Sequence, residues 1–256
     1  MTEDIRFEIE DDIAIITLNR PQKLNAVTPE MADAIVAAVT ECNDSDTIRC
    51  VIVTGAGERA FCAGSDIREL DAYETPWQFR NRPDYCDAIR ALLKPSIAAV
   101  NGYAFGGGLE TAMSCDIRLA SDNAQFAAPE IKLGWIGGGG MAVHLAHAVG
   151  PSNAALMIMT GDPISAERAL GWGLVSEVVS QAELMTRARA LAKTIAARAP
   201  IAAETAKLNL KAAFSMPVEK AIEYERDLQT ICFATADATE GRAAFKEKRP
   251  PVFRRR

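Results

Sequence analysis

The stretch "NGYAFGGGLETAMSCD" (residues 101–116) places three consecutive glycines directly before a leucine and a glutamate. It follows the apolar strand pattern "SIAAV" (96–100), and helical spacing runs on through Ala112 and Met113. Glycine permits close approach of the backbone, and a helix start exposes unpaired N–H groups at the positive end of the helix dipole. We therefore predict a strand, a tight turn and a helix whose start can hold an oxygen that becomes negative, with Glu110 nearby.

A second loop of this kind lies upstream, where "AFCAGSD" (60–66) also follows a buried strand pattern. A tight turn that needs positive φ is a sufficient explanation for either loop alone. Two such loops facing one point would instead form an oxyanion-binding site from backbone N–H groups. The upstream loop also matches the weak dinucleotide fingerprint Gly55-x-Gly57-x-x-Ala60, but Gly64 interrupts the helix that this fingerprint requires.

Two acids accompany the glycine loops. Glu110 lies in the first helical turn after the glycines, and Glu130 follows in the apolar context "AQFAAPEIKLG". Each has an ordinary explanation, because the helix dipole favours an acid at its start and an acid after Pro129 is typical of an exposed loop. Two carboxyls in one apolar pocket can instead exchange the protons of a water molecule, provided that the pocket tunes their pKa values.

The composition argues against several classes of function. The chain has 256 residues, 49% of them hydrophobic, and a formal net charge of −6, so it suits one large domain or a domain with a small appendage and no nucleic-acid partner. The acidic start and the lack of an apolar run of ~18 residues predict no membrane partner and a cytoplasmic location. The six cysteines form no C-x-x-C pair, which favours reduced thiols. His144 and His147 lack a third ligand in view, so no metal site is predicted.

Strands and helices alternate through the first part of the chain. The alternation around Asp11-Asp12 predicts a hairpin, and Thr28 followed by Pro29 predicts the start of a helix. From Ser180 helical periodicity dominates to about Phe245, and Ser180-x-x-Glu183 is typical of a capping box. We therefore divide the chain into an α/β core, 1–179, and a helical C-terminal subdomain, 180–256.

These motifs together resemble the crotonase (enoyl-CoA hydratase/isomerase) superfamily over essentially the full chain. The matching stretches are "LNRPQKLNAV" (18–27), "FCAGSDIREL" (61–70), "GYAFGGGLETAMSCDIRLASDNAQFAAPEIKLG" (102–134), "MTGDPISAERALGWGLVSEVV" (159–179) and "FATADATEGRAAFKEKRPPVF" (233–253). The resemblance implies an α/β fold, a crotonase-like spiral of β-β-α turns with a helical C-terminal trimerisation subdomain. It also implies a homotrimer or a hexamer that is a dimer of trimers. The implied activity is that of an enoyl-CoA hydratase, with no cofactor because coenzyme A is part of the acyl-CoA substrate.

The resemblance also implies roles for individual residues. The two oxyanion-hole amides fall on the backbone N–H groups of Ser65 and Gly107, and Glu110 and Glu130 handle water addition at C3 and proton delivery at C2. Coenzyme A contacts are implied for Lys23, Ala26, Ala63, Asp66, Ile67, Phe245 and Lys248, the last two at this subunit's site or at that of a neighbour. The arginines at 254–256 have the simpler alternative of a solvated chain end.

One loop departs from the family pattern. Where the family commonly reads I-P-G-x-G-G-T-Q, this chain reads "WIGGGGMAVHL" (135–145), with Gly137 at the proline and Ala142-Val143 at the Thr-Gln pair. Because the loop borders the acyl pocket in the family, a short straight acyl group does not follow. Candidate walls for a branched, cyclic or aromatic acyl group are Trp135, Gly138, Tyr73, Trp77, Phe79 and Tyr85. Each aromatic has the alternative of a core or interface position.

Other functions stay open from the sequence. On the same scaffold, the chain could move a double bond with one glutamate or dehydrate a polar acyl group. A non-catalytic or RNA-binding member of the fold is less compatible with the negative charge and the paired acids. A Rossmann oxidoreductase is the remaining alternative, and it would have to bind a nicotinamide cofactor.

Overall fold

The computed structural model describes residues 3–256, which contain ten β-strands and twelve α-helices. The strands are β1 (Ile5–Glu10), β2 (Ile13–Leu18), β3 (Cys50–Gly55), β4 (Ala60–Cys62), β5 (Ser96–Val100), β6 (Tyr103–Phe105), β7 (Ile117–Ser121), β8 (Gln125–Ala127), β9 (Ile164–Ser165) and β10 (Glu177–Val179).

The helices begin after the first hairpin and dominate the C-terminal part of the chain. They are α1 (Pro29–Asp44), α2 (Ile67–Leu70), α3 (Pro76–Arg80), α4 (Tyr85–Arg90), α5 (Gly107–Ser114), α6 (Met141–Val149), α7 (Pro151–Thr160), α8 (Ala166–Gly171), α9 (Leu184–Ala196), α10 (Pro200–Ala213), α11 (Val218–Phe233) and α12 (Ala236–Glu247). Short 3₁₀ helices cover Pro21–Lys23 and Pro129–Leu133.

Two sheets run side by side through the core. The larger has the order β1-β2-β3-β5-β7-β10, in which only the β1–β2 hairpin is antiparallel, and the smaller has the order β4-β6-β8-β9. From β3 onward, successive turns of the chain place one strand in each sheet and then a helix. This is the predicted β-β-α spiral, and the expectation of an α/β fold is confirmed.

Local sequence explains the elements that it predicted. Glu10 pairs with Ile13 across the Asp11-Asp12 turn, so the predicted hairpin is confirmed. The Thr28 hydroxyl accepts a hydrogen bond from the Met31 N–H at the start of α1. β2, β3 and β5 are buried on both faces, which is why their sequences are nearly continuous apolar runs.

The predicted capping box at Ser180 is wrong. Helix α9 begins at Leu184, and the Ser180 hydroxyl donates to the Glu183 carboxylate at 2.6 Å within a preceding turn. The two side chains satisfy one another and leave the backbone N–H groups of the helix start uncapped. Leu184, with Ala188 and Ala192, packs on the six-stranded sheet. Burial of this apolar stripe therefore decides where the helix begins.

The last residues of the chain are docked on the body of the molecule. The Arg255 guanidinium pairs with Glu204 of α10 and with Asp46, and the Asp237 carboxylate accepts from the backbone N–H groups of Arg254 and Arg255. The alternative of a solvated chain end therefore does not hold for Arg255. The boundary between residues 179 and 180 stays a prediction. Within residues 3–256 no helix combines the length and the apolar character that crossing a membrane requires.

Candidate active site

The two glycine loops meet at one edge of the four-stranded sheet. β4 and β6 are parallel neighbours, so the loops that follow them leave the sheet side by side. A Cβ atom added to Gly64 would lie 3.1 Å from the backbone nitrogen of Gly107. The weak dinucleotide pattern is not realised, because the residues after Gly57 form strand β4 and not a helix.

Two backbone N–H groups at this meeting point are available to a ligand. Ser65 forms a parallel bridge with Val27 in which the hydrogen bonds are made by the flanking Gly64 carbonyl and Asp66 N–H. Gly107 is the first residue of α5. Neither the Ser65 N–H nor the Gly107 N–H donates to another group in residues 3–256. The pair can therefore stabilise negative charge on one oxygen atom.

The three consecutive glycines each face a different neighbour. Gly106 has a φ of +56°, and a Cβ atom on it would lie 2.7 Å from an oxygen of Glu130. A Cβ atom on Gly107 would overlap the hydroxyl of Tyr85, and one on Gly108 would overlap the carbonyl of Cys62. A carboxylate, a phenol and a strand thus occupy the space that side chains would need, which is why this turn contains glycine.

Glu110 is buried in the first turn of α5, with a side chain that reaches the cavity. Its Oε1 atom accepts hydrogen bonds from the backbone N–H groups of Gly139 at 2.7 Å and of Met141 at 3.0 Å. Burial raises the pKa of this carboxyl, and the nearby charge of Glu130 acts in the same direction. The two N–H bonds oppose the shift because they stabilise the carboxylate.

The unusual glycine loop is wrapped around this carboxylate. Cβ atoms on Gly137 and Gly139 would each lie 2.8 Å from an oxygen of Glu110. The Arg90 guanidinium donates to the Gly139 carbonyl and, at 3.4 Å, to the Ser114 hydroxyl of α5. Arg90 therefore ties the loop to the helix that carries Glu110.

Glu130 enters the cavity from a single turn of 3₁₀ helix, Pro129–Leu133. Its Oε2 atom is buried and has no hydrogen-bond partner within the described residues. Burial raises the pKa of the Glu130 carboxyl. The residue therefore presents a carboxyl oxygen that is shielded from solvent and free to bond a ligand or a water molecule.

Ser65, Gly107, Glu110 and Glu130 border one cavity of about 820 Å³. Among the predicted acyl-pocket residues, Trp135, Gly138, Phe79 and Tyr85 line it. Tyr73 and Trp77 do not: the Tyr73 ring packs edge-on against Phe79, and Trp77 is 75% exposed on the short helix α3. Arg80 and Arg82 also line the cavity, so its wall is charged as well as aromatic.

Comparison with known proteins places the chain among relatives of similar length. The Enoyl-CoA hydratase/isomerase family matches residues 8–256. The chain belongs to that family. A probable enoyl-CoA hydratase of Mycobacterium bovis is 42% identical and aligned over 99% of each chain, and an (E)-benzylidenesuccinyl-CoA hydratase of Thauera aromatica is 36% identical over 98% of each. The crystal structure of an enoyl-CoA hydratase from Bacillus anthracis superposes with a TM-score of 0.94 at 33% identity, covering 99% of this chain and 100% of that one.

The predicted membership of the enoyl-CoA hydratase/isomerase family is thus confirmed, and its implied coenzyme A contacts can be located. Ala63 and Ile67 line the cavity beside Ser65. Asp66 is buried, caps α2 and is bonded to Arg20 and Arg68, so its carboxylate is already satisfied. The other candidates do not line the cavity: Lys23, Ala26, Phe245, which is 86% exposed, and Lys248.

The sequence reasoning missed the role of Arg90. Asp87 and Arg90 are recognisable as an i, i+3 ion pair on α4, which suggests only a solvated helix face. Nothing in the sequence signals that Arg90 reaches Gly139, because the two are brought together only by folding.

The histidine pair does not form part of the site. The His147 ring stacks on Phe214 with centroids 4.8 Å apart, and burial beside the Arg90 and Arg118 charges lowers the pKa of His144. Within residues 3–256, no cluster of three or more His, Cys, Asp or Glu side chains is placed to hold a metal ion.

Proposed function

We propose that the chain is an enoyl-CoA hydratase that reversibly adds water across the 2,3 double bond of an acyl-CoA thioester. The observation that carries the proposal is the convergence of two free amides, the buried Glu110 carboxyl and the half-buried Glu130 carboxyl on one cavity. The amides of Ser65 and Gly107 would hold the thioester oxygen as it becomes an enolate. The family match and the hydratase names of the relatives point to the same reaction.

The two carboxyls suit opposite proton states. Glu110 accepts two backbone N–H bonds, which favour its ionised form, so it is suited to take the proton of the attacking water. Glu130 has a buried oxygen without a partner, which favours its protonated form, so it is suited to deliver a proton to C2. The water oxygen forms the bond to C3, one O–H bond breaks toward Glu110, and the π electrons accept the Glu130 proton at C2.

A polar acyl group is the second candidate. The Arg80 guanidinium forms no ion pair or hydrogen bond within residues 3–256, and the Arg80 and Arg82 side chains both border the cavity. Arg82 is paired with Asp84, so the unpaired Arg80 guanidinium is the group that favours an acyl chain with a carboxylate or hydroxyl far from the thioester. Hydration and dehydration of such an acyl group use the same two acids, so the chemistry at C2 and C3 is unchanged.

Assembly as a homotrimer, or as a dimer of trimers, belongs to the same proposal. Apolar side chains are exposed along the C-terminal helices, including Leu210, Phe214, Val218, Ile231 and Phe233. The exposure of Phe245 fits a contribution to a neighbouring subunit's coenzyme A site. Light scattering of the purified protein tests the subunit number.

No cofactor is proposed beyond the coenzyme A of the substrate, and the cytoplasm is the proposed location.

The decisive experiment is mass spectrometry of enoyl-CoA esters incubated with the protein in H₂¹⁸O. The panel spans straight, branched, cyclic, aromatic and carboxylate-bearing acyl groups. The proposal expects ¹⁸O at the 3-hydroxyl of a preferred ester and the loss of that label in both Glu110→Gln and Glu130→Gln. Glu41→Gln, on the exposed side of α1, serves as the matched control and should label normally.

Two outcomes would contradict the proposal. Movement of the double bond without ¹⁸O incorporation would indicate an isomerase. Retention of full labelling in either active-site variant would show that one carboxyl suffices and that the paired roles are wrong.

A further inference from the structure

A tyrosine hydroxyl lies between the two loops that supply the amides. Tyr85 begins α4, where the Asp84 side chain caps the helix by accepting from the Cys86 N–H at 2.8 Å. Only 7% of Tyr85 is exposed. Its hydroxyl lies 3.1 Å from the Ser65 hydroxyl and fills the space beside Gly107 that a Cβ atom would occupy. The phenol therefore touches both residues whose N–H groups are free.

The Tyr85 and Ser65 hydroxyls together have one more proton than the hydrogen bond between them uses. Tyr85 and Ser65 carry one hydroxyl proton each, and a single hydrogen bond joins the two oxygens. Neither hydroxyl bonds to any further group within residues 3–256. One O–H group is therefore left to donate into the cavity that both residues line. A buried donor without an acceptor costs about 1–3 kcal/mol, so a ligand oxygen placed there gains a favourable partner.

We infer that Tyr85 is a third donor to the thioester oxygen, with Ser65 holding it in place. The Ser65 hydroxyl donates to the Tyr85 oxygen, and the Tyr85 hydroxyl donates to the oxygen that the two amides also face. This arrangement puts the phenol, the stronger acid of the two hydroxyls, next to the developing negative charge. A tyrosine serves as an oxyanion donor in ketosteroid isomerase, so the chemistry is of a known kind.

The protonation state of Tyr85 agrees with this geometry. Burial raises the pKa of the phenol well above its ordinary value, and the negative charge of Glu110 adds to the effect. The hydroxyl therefore stays protonated at any working pH and remains a donor. The inference rests on the proposed hydratase function, because it takes a thioester as the acceptor.

The test compares Tyr85→Phe, Ser65→Ala and the double variant with the unchanged protein. Tyr85→Phe should lower kcat by about 10²-fold, as for the loss of one oxyanion donor, with a much smaller change in KM. Ser65→Ala leaves the phenol in place and should cost about 10-fold, because only positioning is lost. The double variant should be no worse than Tyr85→Phe, since both changes act on one hydrogen bond to substrate. Tyr103→Phe, on β6 outside the cavity lining, is the matched control.

A spectroscopic signal separates a donor from a packing residue. The infrared stretch of a bound ¹³C=O thioester should lie at higher wavenumber in Tyr85→Phe than in the unchanged protein and change little in Ser65→Ala. An unchanged stretch in Tyr85→Phe would overturn the inference, as would a larger effect from Ser65→Ala. If the unchanged protein hydrates no ester, the hydratase proposal fails, while the stretch of a bound thioester still tests Tyr85 because it needs only binding. If Tyr85→Phe does not fold, the stretch in Ser65→Ala still decides, because a large shift there contradicts the assignment.

Discussion

Glu110 and Glu130 enter the same cavity from different kinds of structure. Glu110 projects from a regular helix, is buried and has two backbone N–H groups on one oxygen. Glu130 projects from one turn of 3₁₀ helix, and its Oε2 atom has no partner in the described residues. Burial raises the pKa of both carboxyls. The difference teaches that raised pKa values need not give equal roles, because hydrogen bonding decides which carboxyl keeps its charge.

The largest expected effect is that of Glu110→Gln. The amide oxygen still accepts from Gly139 and Met141, so the loop should stay in place while the base is lost. We expect kcat to fall by up to about 10⁴-fold, with little change in the affinity for a substrate ester. Steady-state kinetics and calorimetric titration measure the two quantities. A variant that loses binding and turnover equally would show that Glu110 holds the loop and not the water.

Glu130→Gln should be less damaging to turnover and should stabilise the fold. We expect kcat to fall by about 10²- to 10³-fold. The pKa of the Glu130 carboxyl is higher in the folded protein than its unfolded value of 4.5. Such a carboxyl makes the folded protein less stable as pH rises from the unfolded pKa through the folded pKa. The uncharged amide avoids this loss, so the melting temperature at pH 7 should rise by about 2–4 °C. The melting temperature should rise less in Glu110→Gln, because this change also replaces two charge-assisted hydrogen bonds by weaker ones. An equal rise in both variants would show that hydrogen bonding does not distinguish the two carboxyls.

The pH profile gives a smaller and more specific test. If ionised Glu110 is the base, kcat/KM should fall as pH drops through a pKa above 4.5, the ordinary value of glutamate. Because a protonated Glu130 carries no charge, the acid limb should stay in place in the residual activity of Glu130→Gln. An acid limb that moves to lower pH in this variant would mean that Glu130 is ionised while Glu110 titrates, and would contradict its role as the proton donor.

The smallest expected effect is that of Arg90→Met, which changes the surroundings of Glu110 but not those of Glu130. Loss of the bond to the Gly139 carbonyl should loosen the loop that holds Glu110, and we expect kcat to fall about 10-fold. The melting-temperature gain from Glu130→Gln should be unchanged in an Arg90→Met background. Arg187→Met, which breaks only a partly exposed pair with Glu177 away from the cavity, is the control. If Arg90→Met lowers kcat no more than Arg187→Met does, Arg90 does not position Glu110.

The predicted site residues differ in how far the sequence could locate them. Ser65, Gly107, Glu110 and Glu130 lie in short motifs next to strand ends, and they meet because β4, β6 and β8 are parallel neighbours. Tyr73 and Trp77 were predicted from residue type alone; neither lines the cavity, because Tyr73 lies in the segment between α2 and α3 and Trp77 is exposed on α3. The capping box at Ser180 failed for a related reason, since packing of α9 on the sheet outweighed the local motif.

The sequence by itself determined the order of strands and helices, the family, and the glycine and acid motifs, because these depend on neighbours along the chain. Only the tertiary structure decided that the loop at 137–140 encloses Glu110, that Tyr85 lies between the two free amides, and that Arg255 is docked against Glu204. Each of these contacts joins segments 20 or more residues apart. Their geometry is set by how the sheets and helices pack, which no local pattern encodes.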